Sequence, residues 1–338
     1  MTLHKLPERL AGETARILPV GPVGYRPHAM HSGERHWPQT NCYADLWIEV
    51  LHAQGLEPAA AFGFTVAQGF EGDQFTFFKP PLEDLEALYG LRVDELALYD
   101  DLIGHIEQQL QRGRLVLIEL DSFYMADTRG VSYRETHGKT TVAINRLDRA
   151  AREIDYFHND GFFRASGEDF DGLLRLFPGQ QRADVLFPYA EMVRLPAKKP
   201  DPARVAETAH KLLIRHVRRR PESNPIADFR VVASAQAEAL SERPLEAFHP
   251  YAFNTLRQLG ANFELLASNL SWLAREEVGC IDNAAASALN IAEGAKVAQF
   301  QLLRGIKQRR FDRLDAALAT LADEYDALIT ALLRRFPD

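Results

Sequence analysis

The sequence feature that most constrains the fold is a stripe of apolar residues with helical spacing in the second half of the chain. Within residues 247–277 these side chains recur every three or four positions: Phe253, Leu256, Leu259, Phe263, Leu266, Leu270 and Leu273. Such a stripe is typical of a helix in a bundle core and does not indicate a cofactor site. Further helices are predicted over 202–220, 225–241, 282–307 and 309–335. We therefore predict that residues 198–338 form an all-helical bundle domain.

The preceding residues predict a sheet with helices packed on it. Apolar runs indicate strands over 115–120, 140–144, 152–157 and 185–195, and a short aromatic strand over 75–78. Helices are predicted over 42–55, 80–90, 99–112 and 167–177, several of them ending at a glycine. The segment 197–202 has two prolines, two lysines and no apolar anchor, which indicates a linker. The predicted fold class is therefore α+β, with domains 1–197 and 198–338.

Composition excludes several classes of function. The chain has 338 residues, 46% of them hydrophobic, and a net charge of −8. An acidic chain has no overall electrostatic attraction to nucleic acid or to an anionic membrane. The N-terminus lacks a signal-peptide pattern, and no apolar run approaches the roughly 20 residues that span a bilayer. We expect a soluble, cytoplasmic protein with no nucleic-acid or membrane partner.

The cysteine and histidine spacing argues against a metal site or a disulfide framework. Cys42 and Cys280 are the two cysteines, and they lie far apart in the sequence. Cys280 precedes a predicted helix start and is interpreted as structural. His28, His31 and His36 precede Cys42, but their spacing matches no paired-ligand zinc module. We therefore expect no metal and no permanently bound cofactor.

Cys42 lies where a helix is predicted to begin. Pro38 favours extended structure before it, and Thr40 or Asn41 can cap the helix. Apolar residues then recur with helical spacing on one face, and acidic residues lie on the other: Leu46, Trp47, Val50 and Leu51, against Asp45 and Glu49. Free backbone N–H groups and the helix dipole favour an anion in the first turn, and thiolate is the nucleophilic form of cysteine. Cys42 is thus a candidate nucleophile, although a lone cysteine is more often a small buried apolar residue.

A base for this nucleophile is expected downstream. His137 lies directly before the predicted strand 140–144, and Asp155 lies in the predicted strand 152–157. Two adjacent antiparallel strands can place a carboxylate beside an imidazole and fix its tautomer. We predict a catalytic Cys42–His137–Asp155 triad.

Two alternatives for these roles remain open at this stage. His158 could replace His137 as the base, or support the site as a substrate-binding residue. Asn159 or Asp160 could replace Asp155 as the orienting group.

Further residues near the predicted strand and helix ends are candidates for binding the substrate. Attack on a carbonyl needs an oxyanion hole, for which the backbone N–H of Cys42 and the amide of Gln39 or Asn41 are available. Asp121 and Tyr124 follow the predicted strand 115–120, and we expect them to bind substrate. Asp121 is a candidate for an amine group, although it could equally cap a turn.

Four motifs together resemble a known family. They are Asn41-Cys42-Tyr43, the run from Leu120 to Thr128, the run from Thr136 to Thr141, and Tyr156-Phe157-His158-Asn159. This combination resembles a bacterial papain-like family of formerly unknown function that is related to the butirosin-type acyltransferases. The resemblance covers most of 20–195 and, more loosely, the helical remainder. The papain pattern has a glutamine about six residues before the cysteine, whereas this chain has His36 there and its nearest glutamine is Gln39.

The resemblance implies a papain-like N-terminal half and an acyl-transfer reaction. The donor would be the phosphopantetheine thioester of an acyl or aminoacyl carrier protein, and the acceptor a small-molecule or protein amine or alcohol. Carrier proteins of this kind are acidic, and the basic residues Arg215, Arg218 and Arg219 are candidates for docking one. A cysteine hydrolase that uses water as acceptor, and a non-catalytic module that binds a carrier protein, are the alternatives.

Overall fold

The computed structural model describes residues 16–39, 41–180, 185–278 and 282–336. The chain divides into two compact units. The first unit is built from the described residues within 1–28, 45–55 and 91–196, and the second from those within 29–44, 56–90 and 197–338. The second unit therefore takes in two N-terminal segments as well as the residues after the linker.

The first unit contains a six-stranded sheet in which all pairings between neighbouring strands are antiparallel. Its strands are β1 Arg92–Glu95, β2 Arg114–Asp121, β3 Lys139–Asp148, β4 Glu153–His158, β5 Gly161–Ser166 and β6 Ala190–Arg194. The strand order is β1-β6-β2-β3-β4-β5. The predicted strands 115–120, 140–144 and 152–157 are confirmed, and 185–195 forms a strand only at its end. β1 was not predicted, because its four residues are too few to show a clear alternation, and β5 was not predicted although it is as long as β4.

One face of this sheet is covered by two short helices. α3 spans Leu102–Gln111 and α4 spans Glu168–Leu173. Their apolar residues, including Ile106 and Phe170, join the buried side chains of β2, β3 and β4 in one core cluster. The helices predicted over 99–112 and 167–177 are thus present, the second as a shorter element.

The helix that begins at Cys42 is buried on more than one side. α1 spans Cys42–Ala53, and Gly55 follows it in a left-handed conformation, as predicted. Glu49 was predicted to lie on a polar face, but it is fully buried and accepts hydrogen bonds from the Tyr25 hydroxyl (2.6 Å) and the His28 N–H (3.0 Å). Burial, with Glu49 beside it, raises the pKa of Tyr25, so the phenol keeps the proton that it donates.

The second unit is mainly helical. Its helices are α2 Leu82–Tyr89, α5 Pro202–Arg218, α6 Pro225–Ser241, α7 Phe248–Ala252, α8 Gln258–Arg275, α9 Asp282–Gln308 and α10 Asp312–Arg335. A π-helical turn over Phe253–Arg257 joins α7 to α8, within the region predicted as one helix. The predicted apolar stripe is buried except for Phe253, which is 40% exposed. The structure thus confirms a mixed fold with an antiparallel sheet in the N-terminal half and a helical C-terminal half.

Two further expectations concern the aromatic strand predicted over 75–78 and the absence of a membrane-spanning segment. Residues 75–78 do not form a strand: Phe75 makes a single bridge to Phe70. In the part of the chain that the structure describes, no helix combines the length and the apolar character needed to cross a bilayer.

The segment before Cys42 is fixed to α8 and α9 by one tryptophan and one carboxylate. Glu264 of α8 is 4% exposed, and its two oxygens accept the backbone N–H groups of His36 (3.0 Å) and Trp37 (2.8 Å). The indole Nε1–H of Trp37 donates to the Ala292 carbonyl of α9 (2.9 Å). Gly260 leaves room for this ring, since a Cβ there would lie 2.3 Å from Nε1. These contacts set where the chain enters α1.

We predict that Glu264→Gln loosens this segment. An amide has one acceptor oxygen, so one of the two backbone N–H groups would face an NH₂ group, at a cost of about 2 kcal/mol in the free energy of unfolding. Urea unfolding would measure the cost, and amide hydrogen exchange of a peptide containing His36 and Trp37 would show faster exchange.

Glu293→Gln is the matched control for this substitution. Glu293 also contacts His36, through the ring Nε2 (2.9 Å), but its side chain is 53% exposed. We expect its change to stay within roughly 0.5 kcal/mol, as for an exposed ion pair. Equal effects of the two substitutions would contradict the role given to Glu264.

Candidate active site

Cys42 is the first residue of α1, forms no disulfide and is a partly exposed residue. The Oδ1 atom of Asn41 accepts the backbone N–H of Ala44 (2.8 Å), which is the bond that defines a helix N-cap. The predicted cap at Asn41 is therefore confirmed, whereas Thr40 and Cys280 lie outside the described residues. The cap places Cys42 at the end of the helix where backbone N–H groups are available to an anion.

Residues 78 and 79 contact both neighbours of Cys42. The Nδ2 of Asn41 donates to the Phe78 carbonyl (3.2 Å), and the Lys79 Nζ lies 4.0 Å from the centre of the Tyr43 ring. Both ends of the Asn41 amide are thus bonded within the second unit. Gln39 is held through its own carbonyl, which accepts Arg257 (2.8 Å). The oxyanion roles of Gln39 and Asn41 stay predictions.

In the first unit, the imidazole of His137 is held by Asp121. Its Nδ1–H donates to Oδ2 of Asp121 (2.6 Å), and the ring stacks on Phe123 with centroids 4.4 Å apart. The other oxygen of Asp121 accepts the backbone N–H groups of Phe123 (3.1 Å) and Gly138 (3.2 Å). The side chain of His137 is 69% exposed. With Nδ1 occupied, proton exchange with a reacting group falls to Nε2.

Tyr124 lies beside this pair. Its ring contacts His137 with centroids 6.4 Å apart, and a Cβ on Gly172 would lie 2.2 Å from the tyrosine ring. Gly172 of α4 is therefore needed for the ring to lie where it does. The predicted substrate-binding residues Asp121 and Tyr124 both contact His137, although Asp121 binds the imidazole and, as the sequence also allowed, caps a turn.

The predicted pairing of Asp155 with His137 is wrong. Asp155 is fully buried in β4, and its oxygens accept two hydrogen bonds from Arg164 of β5 (2.6 and 3.0 Å). Arg16 and Arg146 lie 3.5 and 3.9 Å from the same carboxylate. Asp155 is therefore the centre of an arginine cluster that ties β3, β4 and β5 together.

Strand register explains why Asp155 does not lie beside His137. In an antiparallel hairpin the start of one strand lies opposite the end of the next, and Asp155 pairs with Arg146. Arg146 lies nine positions beyond His137 (146 − 137), or roughly 30 Å along an extended strand. The start of β3 instead lies beside the end of β2, where Asp121 pairs with Lys139. Counting back from the turn of the β3–β4 hairpin would have excluded Asp155.

His158 belongs to a buried group of polar side chains. Its Nδ1–H donates to Asp127 (2.6 Å), and its Nε2 accepts the Thr140 hydroxyl (2.7 Å). The Tyr156 hydroxyl donates to the other oxygen of Asp127 (2.6 Å), and burial followed by the charge of Asp127 raises the pKa of Tyr156. His158 is 1% exposed, so a substrate would have to displace Thr140 to reach its ring. Asp127 and Thr140 were not predicted here, because neither pattern nor spacing links them to His158.

The basic cluster at the end of α5 is partly used inside the second unit. Arg215 forms an ion pair with the buried Asp84 of α2, which also binds the His216 ring (2.6 Å). Arg218 and Arg219 are exposed. Arg215 therefore has a structural partner, and docking of a partner by Arg218 and Arg219 stays a prediction.

We predict that Asp121→Asn changes the state of the His137 ring with little effect on stability, whereas Asp155→Asn lowers stability and leaves the His137 ring unchanged. Asp121→Asn replaces the oxygen that accepts the Nδ1–H of His137, so the ring should change tautomer and orientation while the free energy of unfolding changes by less than about 1 kcal/mol. Asp155→Asn removes a buried charge from its arginines and should cost about 3 kcal/mol. Side-chain NMR of His137 and urea unfolding measure the two effects.

Altered His137 signals in Asp155→Asn with unchanged signals in Asp121→Asn would show that Asp155 is the partner of His137 after all. The hydrogen bond from His137 to Asp121 requires the reverse: altered signals in Asp121→Asn and unchanged signals in Asp155→Asn.

Comparison with known families covers both halves of the chain. The family model of the DUF1839 N-terminal domain matches residues 26–195, and that of the DUF1839 C-terminal domain matches residues 203–334. No curated protein matches the sequence. These matches do not extend to the papain-like acyltransferases, and the resemblance to them remains a proposal. The chain belongs to the DUF1839 family, a family of unknown function.

Proposed function

We propose that this protein is a cysteine-dependent acyltransferase. Cys42 would take an acyl or aminoacyl group from the phosphopantetheine thioester of a carrier protein and pass it to an amine or alcohol. The observation that supports the proposal most directly is the exposed His137 ring, whose Nδ1 is held by a carboxylate at 2.6 Å. An imidazole oriented by a carboxylate is the base that cysteine nucleophiles use.

The first half-reaction transfers the acyl group to the enzyme. The Nε2 of His137 accepts the thiol proton, and the Cys42 sulfur attacks the thioester carbonyl carbon. The carbonyl electrons move to oxygen, which the N–H groups at the start of α1 stabilise. The carbonyl then reforms, the bond to the donor sulfur breaks, and the leaving thiolate takes the proton from His137. One thioester replaces another, so the step is nearly isoenergetic.

The second half-reaction releases the product. An acceptor amine attacks the acyl-Cys42 carbonyl and loses a proton to His137, and the Cys42 sulfur leaves and recovers that proton. Asp121 fixes the tautomer and orientation of His137 in both halves. Phe123 restricts the plane of the ring by stacking.

Intact mass spectrometry of protein incubated with an aminoacyl carrier protein tests the proposal. We expect the parent protein to gain the mass of the acyl group and Cys42→Ala to gain none. His137→Gln should slow acylation by about 10²- to 10⁴-fold, the range for loss of a general base. Lys139→Gln removes an exposed side chain paired with Glu119 and is the nearby control, which should acylate at the parent rate.

Three outcomes would contradict the proposed nucleophile, the proposed transfer to an amine or alcohol, or catalysis itself. An adduct that persists in Cys42→Ala would exclude Cys42 as nucleophile. Release of free amino acid from the acyl-enzyme at the same rate with and without amine would indicate a hydrolase. No adduct, together with a Cys42 thiol inert to iodoacetamide below pH 8, would indicate a binding module.

A further inference from the structure

The second half of α9 is strongly basic in an otherwise acidic chain. Residues 294–311 contain no acidic residue and five basic ones: Lys296, Arg304, Lys307, Arg309 and Arg310. The chain as a whole has a net charge of −8. Arg309 and Arg310 have acidic partners, Glu242 (2.5 Å) and Asp312 (3.5 Å). The positive character of this stretch therefore depends on Lys296, Arg304 and Lys307, which are all exposed.

Two of these cations contact neutral groups. Arg304 donates to the side-chain oxygen of Gln308 (3.3 Å), and the Lys296 Nζ donates to the His36 carbonyl (2.7 Å). A neutral partner positions a cation and leaves its charge in place. Arg304 and Lys296 therefore retain a positive charge with which acidic groups of a partner can pair.

Two large apolar side chains are exposed on the same part of α9. Val297 is 52% exposed and Phe300 is 65% exposed. Residues three or four positions apart lie on the same face of a helix. The spacing of three, four and three places Val297, Phe300, Arg304 and Lys307 on one face. We call these four residues the α9 stripe. Neighbouring exposed apolar side chains with a charged edge are typical of a protein-binding surface.

A groove of about 480 Å³ adjoins the α9 stripe within the second unit. Phe300 belongs to both, and Gln39 lines the groove as well. Gln39 precedes Cys42 by three positions (42 − 39), and three extended residues span at most about 11 Å. A partner seated on the α9 stripe therefore lies beside a groove that reaches the approach to the candidate nucleophile.

We propose that the α9 stripe docks an acidic face of the carrier protein that delivers the acyl donor. This inference rests on the proposed function and states where its protein substrate binds. Acidic side chains of the partner pair with Arg304 and Lys307, and an apolar side chain covers Phe300. A second copy of this chain fits less well, because a two-fold interface through the same face would bring its cations together.

The same acyl group on two donors tests the docking surface. One donor is a bacterial acyl carrier protein bearing the acyl group on its phosphopantetheine arm, and the other is free acyl-pantetheine. In Arg304→Glu/Lys307→Glu, acylation of Cys42 at limiting donor should fall by on the order of tenfold or more with the carrier protein. Acylation by free acyl-pantetheine should match the parent rate, which also shows that the variant is folded.

Lys198→Glu/Lys199→Glu is the matched control. It changes the net charge by the same amount at two exposed lysines of the linker. We expect it to leave both rates at the parent values. An equal fall with the carrier protein in the control would show a general effect of net charge and would overturn the proposal.

A binding measurement separates this inference from the proposed function. Calorimetry of Cys42→Ala with the unacylated carrier protein requires no reaction. We expect binding that weakens as salt is raised, weakens in Cys42→Ala/Phe300→Ser and is lost in Cys42→Ala/Arg304→Glu/Lys307→Glu. Such binding with no acyl adduct on the parent protein would support the docking surface and contradict the transferase.

Three outcomes would overturn the docking surface. The first is carrier-borne acylation that is equally fast in the parent and in Arg304→Glu/Lys307→Glu, which would leave the transferase standing. The second is a dimer in sedimentation that Phe300→Ser dissociates, since a second copy would then cover the stripe. The third is binding of Cys42→Ala to phosphatidylserine vesicles and not to the carrier protein.

Discussion

The carboxylate of Glu264 fixes the segment on which the candidate active site depends. It binds two consecutive backbone N–H groups, those of His36 and Trp37, from a buried position on α8. Trp37 then inserts its indole against Gly260 and donates to α9. Cys42 follows five positions later (42 − 37). Because the start of this segment is held at two atoms, the cap at Asn41 forms at a defined place and the thiol stands at the first turn of α1.

In the first unit, the carboxylate of Asp121 likewise fixes a loop by accepting backbone N–H groups. Asp121 ends β2, and one of its oxygens accepts the N–H groups of Phe123 and Gly138. These bonds join the chain after β2 to the chain before β3, and the other oxygen is left to hold His137. In each unit, an acidic side chain shapes a loop by binding backbone donors and so positions a candidate catalytic side chain. A side chain supported by a helix or strand is positioned more precisely than one supported only by a loop.

Local sequence patterns predicted the helices and strands well, but they predicted poorly which side chains are hydrogen-bonded to each other. The helical stripe around Leu266 and the apolar run of β2 follow from periodicity, which is set by geometry within one element. The Asp155 assignment failed because strand register depends on the partner strand, and an antiparallel hairpin reverses the order of positions. Glu49 was assigned to a polar face because periodicity does not report a buried partner such as Tyr25. Asp121 was predicted as a substrate ligand, since nothing local reveals that β2 ends beside the start of β3.

The proposed function requires the reactivity of the Cys42 thiol to depend on the His137–Asp121 pair. The most direct test is the rate of iodoacetamide alkylation of the Cys42 peptide between pH 5 and 9, read by mass spectrometry in the parent protein, His137→Gln and Asp121→Asn. If His137 serves Cys42 as the proposed function requires, alkylation at pH 6.5 should fall roughly tenfold in His137→Gln and should also fall in Asp121→Asn, because a cationic imidazole beside a thiol favours the thiolate. Superimposable pH profiles for the three proteins would contradict the account.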